Sequence, residues 1–308
     1  MEKKKIKLNA RTKKTLWCYL ILSTQIIGLL VFTLYPTLWA WAKAFFFDVQ
    51  IPSKLKFVGW DNFIAIFTTD KSYWKSWITT LIFAVGKLPI ELPLAMLVAI
   101  CLTRKEVKGK GFFRAVFYLP NIVSVAIVGL MLSSMFDYFG FINTWFVRLG
   151  ILEKPVEWFS ETNLSMTMLI IASVWSTFGT NVLYFIAALS NVSEDILESA
   201  KLDGASQWTT FWRIKLPMMA PVLQTILLLA LNGTLHTGDF VLATTNGAPF
   251  GTTHTVMSYQ ASKFVPGFTG SVEVNIGYGS AICVVSSVLM ICIALIYSKL
   301  SKRLQNMY

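Results

Sequence analysis

Residues 198–217 read ESAKLDGASQWTTFWRIKLP. The stretch is polar and partly basic, yet apolar runs lie on both sides of it, at about 165–189 and about 217–238. Each run is long enough to cross a hydrocarbon core of ~30 Å. The loop between them therefore lies at one membrane face, and the rest of the chain decides which.

Only 14% of the 308 residues are charged and 55% are hydrophobic, whereas a soluble domain carries about 25% charged residues. Apolar runs recur at about 16–38, 78–102, 115–135, 165–189, 217–238 and 276–298. The expected fold is an all-α polytopic membrane protein with six transmembrane helices, a transmembrane domain over 16–300, and the loop 190–217 between helices four and five. The first run exceeds the about 7–15 apolar residues of a signal peptide, so it reads as an uncleaved helix.

Six spans put both termini on one side. On that side lie the N-terminal segment 1–15, the loop 103–114, the loop 190–217 and the tail 301–308. Together with Lys299 these carry eighteen Lys and Arg, against eight in the other three loops. The excess assigns the first set to the cytoplasm. The net charge of +11 is thus topological. No basic stretch is interleaved with aromatics as a nucleic-acid face would be, so no nucleic-acid partner is expected. Membrane lipid is. Residues 39–77 are a mixed, aromatic-rich segment with a turn at Asp61-Asn62, and 239–275 are rich in Gly, Thr and Pro. Cys18, Cys101, Cys283 and Cys292 match no metal or disulfide pattern and read as small buried hydrophobes.

Within the loop, Ser193 is placed to cap a helix whose first turn holds Glu194 and Asp195. Ile196, Leu197 and Ala200 give it an apolar side. Gly204 suits a left-handed helix end or a close backbone approach. Ser206 is placed to cap a second short helix with Trp208, Phe211 and Trp212 on one face, and Pro217 suits the first turn of helix five. Composition alone describes an interfacial helical hairpin anchored by Trp and Arg.

The identities go further. Glu198, Ala200, Gly204, Ile214, Leu216 and Pro217 stand at the spacings of the cytoplasmic signature of binding-protein-dependent ABC importer permeases, which the chain resembles. Ser199 replaces one alanine of that signature. Asp203 and Ala205 resemble the carbohydrate, maltose-type version. Thr245-Asn246-Gly247-Ala248-Pro249 with Thr252 and Thr253 is similar to the family's Thr-Gly-Gly-Gly-Pro segment, with two glycines replaced. Phe113-Arg114 and Leu119-Pro120 also fit, and the resemblance covers roughly 75–300.

The resemblance implies a coupling helix that docks in a cleft of a separate ATPase. Glu198 would make a charge-assisted contact there, Ala200 would allow close packing, Gly204 the turn, and Trp208 and Phe211 would fill the cleft. It implies two ATPase subunits carrying ATP and magnesium, a second six-span permease subunit, an extracytoplasmic sugar-binding protein, a carbohydrate substrate and a bacterial-type cell membrane. The chain itself has no G-x-x-x-x-G-K-[ST] phosphate loop and is expected to be no enzyme and to hold no cofactor.

Polar residues inside the spans complete the reading. Lys87 and Glu91 lie four apart near Pro89 and Pro93, as an intramembrane ion pair. Trp175, Asn181 and Tyr184 in span four, and Gln224, Asn232 and His236 in span five with Asp239 beyond, are candidates to line a sugar pathway. Aromatic faces stack on sugar rings, and amides or carboxylates bond hydroxyls. Buried polar residues also join transmembrane helices. His236 and His254 share no metal spacing, and no nucleophile–base pair is visible. A stand-alone transporter or channel fits less well, since many secondary transporters carry internal repeats. A membrane enzyme would need clustered acid, His or metal-ligating groups.

Overall fold

The computed structural model describes residues 10–50, 53–104, 106–265 and 274–305. The basic residues at positions 3–7 and the last three residues of the tail lie outside that description. Among the described residues the regular structure is helical apart from one antiparallel strand pair, β1 (Phe46–Gln50) with β2 (Ser53–Phe57), in which Phe46 pairs with Phe57.

The first span is α1 (Ala10–Leu29), a π-turn (Leu30–Leu34) and α2 (Tyr35–Lys43). After the hairpin come α3 (Asp61–Thr68) and α4 (Lys71–Thr103). Asp61 thus opens a helix where a turn was expected. Next are α5 (Lys110–Ile122), α6 (Val125–Met135), α7 (Phe141–Arg148) and α8 (Thr162–Ser190). The loop holds α9 (Glu194–Leu202) and α10 (Gln207–Thr210), followed by a π-turn (Phe211–Lys215) and α11 (Leu216–Leu235). The chain closes with α12 (Asp239–Thr244), α13 (Val256–Ser262) and α14 (Ile276–Gln305).

Among the described residues five helices are long and apolar enough to span a membrane, and α5 with α6 make a sixth when counted as one broken span. The expected straight span at 115–135 is instead two helices bent by 92°. Val123 and Ser124, with ψ of 142° and 134°, leave the helical region between them. The two halves seat on different partners through glycine contacts. A Cβ on Gly179 of α8 would lie 2.0 Å from the Phe117 carbonyl of α5, and one on Gly129 of α6 would lie 2.5 Å from Ala243 of α12. By contrast α4 runs unbroken past Pro89 and Pro93.

Three apolar clusters organise the bundle. At one end Ala95, Ala99 and Leu102 pack with Val182, Ala188, Val192 and Met219. At the other end Ile66, Tyr73 and Trp77 pack with Tyr259, Ala281 and Ile282. Between the clusters' helices, Phe83, Leu169, Val128 and Val241 tie α4 and α8 to α6 and α12. The 239–275 segment is therefore no plain loop: Phe240, Val241, Val256 and Tyr259 are buried. Cys18, Cys101 and Cys292 are exposed and Cys283 is half-buried, contrary to expectation.

Candidate functional site

The loop's local structure follows from its sequence. Ser193 occupies the N-cap position of α9 but its side chain makes no capping hydrogen bond. The acidic first turn and Lys201 in the last turn both match the helix dipole. Gly204 has φ of +78° and ends α9. The Ala205 N–H donates to Ala200 O at 2.9 Å and the Gly204 N–H to Lys201 O at 3.1 Å, which closes the helix end. An added Cβ on Gly204 would meet nothing within 4 Å, so the glycine is needed for conformation, not for close approach. Ser206 Oγ accepts from the Thr209 N–H at 3.1 Å and caps α10.

One expectation changes here. Pro217 does not begin a separate helix. The π-turn sends the Leu216 N–H to Phe211 O, and α10, the turn and α11 form one helix from Gln207 to Leu235. The π-turn lies immediately before the proline, whose missing N–H cannot join the ladder.

The inner side of the loop is fixed to the bundle. Ala200 is buried, and Val192 and Leu197 pack on the cluster around Ala99 and Leu102. Ile214 and Leu216 are half-buried and Pro217 is exposed. The outer side is open: Leu202 is 89% exposed, Trp208 72% and Trp212 48%. Phe211 and Trp208 both stack edgewise on Trp212, at 5.3 Å and 5.5 Å between ring centroids. Exposed Glu198, Lys201, Asp203 and Arg213 are interleaved with this patch. Such a mixed surface suits a protein cleft better than hydrocarbon. Leu202 was not foreseen. Its signal was an apolar residue placed off the Ile196/Ala200 face, just before the helix-ending glycine.

Deep in the bundle, Lys87 Nζ lies 3.5 Å from Glu91 Oε2, and both side chains are at most 4% exposed. Glu91 Oε1 accepts from Thr177 Oγ1 and from Asn181 Nδ2, each at 2.7 Å. Asn181 is thus engaged with the ion pair across the α4–α8 seam. Trp175 and Tyr184 are 46% and 40% exposed, but nine positions apart they point about 180° from one another.

The span-five residues also separate. Gln224 Nε2 donates to Ser301 O at 3.2 Å and the Gln224 backbone O accepts from the Tyr297 hydroxyl at 2.7 Å, which ties α11 to α14. Gln224 is thereby committed to α14, whereas Asn232, eight positions on, is exposed. Asn232, His236 and Asp239 are exposed, and His236 Nδ1 lies 2.8 Å from Asn232 O.

The 245–255 segment is held by hydroxyls. Thr253 Oγ1 donates to Ala248 O at 2.8 Å and lies 2.9 Å from Thr245 Oγ1. Thr252 is joined to α8 and α4 by Thr162 Oγ1 at 2.9 Å and Thr79 Oγ1 at 3.3 Å. Gly247, with φ of +81°, packs on the His254 ring, which is buried and lies 3.1 Å from Ser258 Oγ. Burial, then the nearby Lys263, holds the His254 pKa below its usual value. Burial raises the Tyr259 hydroxyl pKa, and its bonds to Asp70 at 2.8 Å and 2.9 Å add to that. Among the described residues no group of three His, Cys, Asp or Glu could hold a metal.

The described residues form a bundle of long apolar helices with a polar, aromatic-faced loop between two of them. The chain belongs to the family described as the binding-protein-dependent transport system inner membrane component, which matches residues 91–306. Curated relatives include a probable ABC transporter permease protein, YesP, of Bacillus subtilis. It is 31% identical over 292 residues, 94% of this chain and 91% of that protein. The lactose transport system permease protein LacF of Rhizobium radiobacter is 29% identical over 262 residues, 83% and 87% of the two chains. A chain of a bacterial alginate ABC transporter, solved with an alginate pentasaccharide-bound periplasmic protein, shares the fold. Its TM-score is 0.78 at 21% identity, over 95% of this chain and 96% of that one.

Proposed function

We propose that the protein is the permease subunit of an ATP-driven importer for a carbohydrate, delivered by an extracytoplasmic binding protein. The carbohydrate reading draws on relatives named for lactose, arabinooligosaccharide and trehalose/maltose transport. The observation that carries the coupling assignment is the outer face of the 194–217 loop. It is a rigidly capped, aromatic and charged patch at one end of a bundle whose interior it also contacts. In this reading α9 is the coupling helix and docks in a cleft of one of two ATPase subunits, which hold the ATP and magnesium. Glu198 supplies a charged contact, and Leu202, Trp208 and Phe211 supply the apolar anchors. A second six-span permease subunit completes the pathway. In this reading exposed Asn232, His236 and Asp239 line it from this subunit, joined by at most one of Trp175 and Tyr184, which lie on opposite sides of α8. Both termini and the 190–217 loop face the cytoplasm, as the Lys and Arg distribution favours.

The experiment is sugar-stimulated ATP hydrolysis by the assembled complex. Glu198→Ala combined with Gly204→Asp should abolish it while the chain still inserts and the purified ATPase keeps its basal rate. Unchanged coupled hydrolysis would defeat the docking assignment. Asn232→Leu should lower uptake more than assembly, and untouched uptake kinetics would remove Asn232 from the pathway.

A further inference from the structure

We propose that α3 is an interfacial membrane anchor. It lies in the headgroup layer of the leaflet at the end of the bundle opposite the 190–217 loop, with Trp60, Ile64 and Phe67 against phospholipid. The inference rests on α4 spanning the membrane and is independent of the sugar and of the ATPase.

The inward face of α3 is fixed first. Asn62 is buried and its Nδ2 donates to Ala44 O at 2.8 Å and Phe46 O at 2.9 Å. Ile66 is fully buried among Tyr73, Ala281 and Ile282. With those two side chains committed, Trp60, Ile64 and Phe67 point the other way. They are 65%, 56% and 61% exposed, at the i, i+4, i+7 spacing of one helix face. Asp61 and Thr68 flank that face and are also exposed. From β2, Leu55 and Phe57 add 61% and 66% exposed side chains to the same end.

The depth of this patch can be read from α4. One stripe of that helix is exposed at Lys71, Lys75, Ile78, Ile82 and Val85. The change from lysine to isoleucine marks the passage from headgroups to hydrocarbon, since lysines extend their ammonium groups to the interface. From Lys71 to Ile78 the helix rises about 10 Å, the depth over which an interfacial helix sits. A two-residue link joins α3 to α4, Trp74 Nε1 donates to Ile66 O at 3.0 Å, and the Phe67 ring lies 5.5 Å from that of Trp74. The outer face of α3 is therefore level with the first turn of α4, the lysine level.

Lipid is the occupant these observations favour. The patch lies at the lysine end of the exposed stripe of α4, whose apolar part begins one turn further on at Ile78. A tryptophan at this level matches the aromatic belt of membrane proteins. Exposed Lys54 and Lys56 alternate with Leu55 and Phe57 along β2, and Lys71 and Lys75 open the exposed stripe of α4. Nearby Asp48 is paired with Lys43, and Asp70 accepts from the Tyr259 and Tyr278 hydroxyls, so exposed Asp61 is the carboxylate set against these four lysines and the fringe is net positive, suited to lipid phosphates.

The test uses the whole importer in phospholipid nanodiscs. Nitroxides are placed at Ile64→Cys, Phe67→Cys and, as a control in an exposed loop away from the patch, Lys154→Cys, with the four native cysteines replaced by serine. At positions 64 and 67 collision with oxygen should exceed collision with a water-soluble nickel chelate, and at 154 the order should reverse. Equal nickel access at all three positions would overturn the proposal in favour of a water-exposed patch. Exclusion of both reagents at 64 and 67 would overturn it in favour of a protein cover. A second measurement needs no substitution. A phospholipid bearing a photoactivated carbene precursor near its headgroup should label tryptic peptide 57–71 of the unmodified importer at Trp60, Ile64 or Phe67. An unlabelled peptide would sink the assignment whatever the variants do.

Discussion

Glu91→Gln removes one charge from the buried pair and keeps the shape of the side chain. Lys87 and Glu91 are 4% and 1% exposed, so the remaining ammonium has no water to turn to. Breaking a buried pair by neutralising one partner costs about 3–5 kcal/mol, because the other charge is left uncompensated. The glutamine oxygen can still accept from Thr177 and Asn181, whose bonds to Oε1 are both 2.7 Å. The substitution thus isolates the ion pair from the hydrogen bonds. Adding Lys87→Met removes the stranded cation, and the double variant should return to within about 1 kcal/mol of the parent. The assay is denaturant titration of the purified complex in mixed micelles, followed by tryptophan fluorescence. If the double variant is as unstable as Glu91→Gln alone, or Glu91→Gln is within about 0.5 kcal/mol of the parent, the pair is not what the seam depends on.

Three further outcomes are expected. Gly204→Ala should cost about 1–2 kcal/mol of local stability through its positive φ alone, and Gly204→Asn distinctly less; limited proteolysis of the 198–217 loop reads the difference, and equal cleavage of the two would mean that conformation is not the constraint. Asn143→Ala should loosen the 137–158 segment, since Asn143 Nδ2 donates to Asp137 O, Tyr138 O and Val156 O and its Oδ1 accepts from Val156 and Trp158; faster hydrogen exchange at 137–158, with α4 unchanged, is the reading. His254 has a lowered pKa in the fold, so the unfolded chain binds the extra proton first; stability is full above the unfolded value of about 6.5 and falls as pH drops from there toward the folded pKa. Thermal unfolding at pH 7.5 and 5.5 should show the loss, and His254→Gln should shrink it.

Much of the bundle was legible because hydrocarbon imposes a simple code. A run of apolar residues of membrane length is visible without knowing its neighbours, and so α4, α8, α11 and α14 were anticipated within a turn or two. The capping of α10 by Ser206 and the left-handed Gly204 were legible for the same kind of reason: both are settled by residues within three or four positions. The bend between α5 and α6 was not, because Val123 and Ser124 carry no breaker signal. Their conformation answers to Gly179 and Gly129, which draw the two halves to different helices. Gln224, Asn181 and Trp175 were equally unreadable in detail, since polarity says that a side chain needs a partner and says nothing about where the partner stands.

By itself, then, the sequence determined that the chain crosses a membrane several times, where most of its long apolar helices run, and that a 20-residue polar loop between two of them carries the spacing of a transport family. Those are properties of composition and short-range periodicity. The tertiary structure alone decided that Asn181 serves the Lys87–Glu91 pair, that the 239–262 segment folds back into the bundle, and that Leu202 and Trp208 face outward from the 198–217 loop. Each of these depends on which helix faces which, and that is set by packing between residues tens of positions apart.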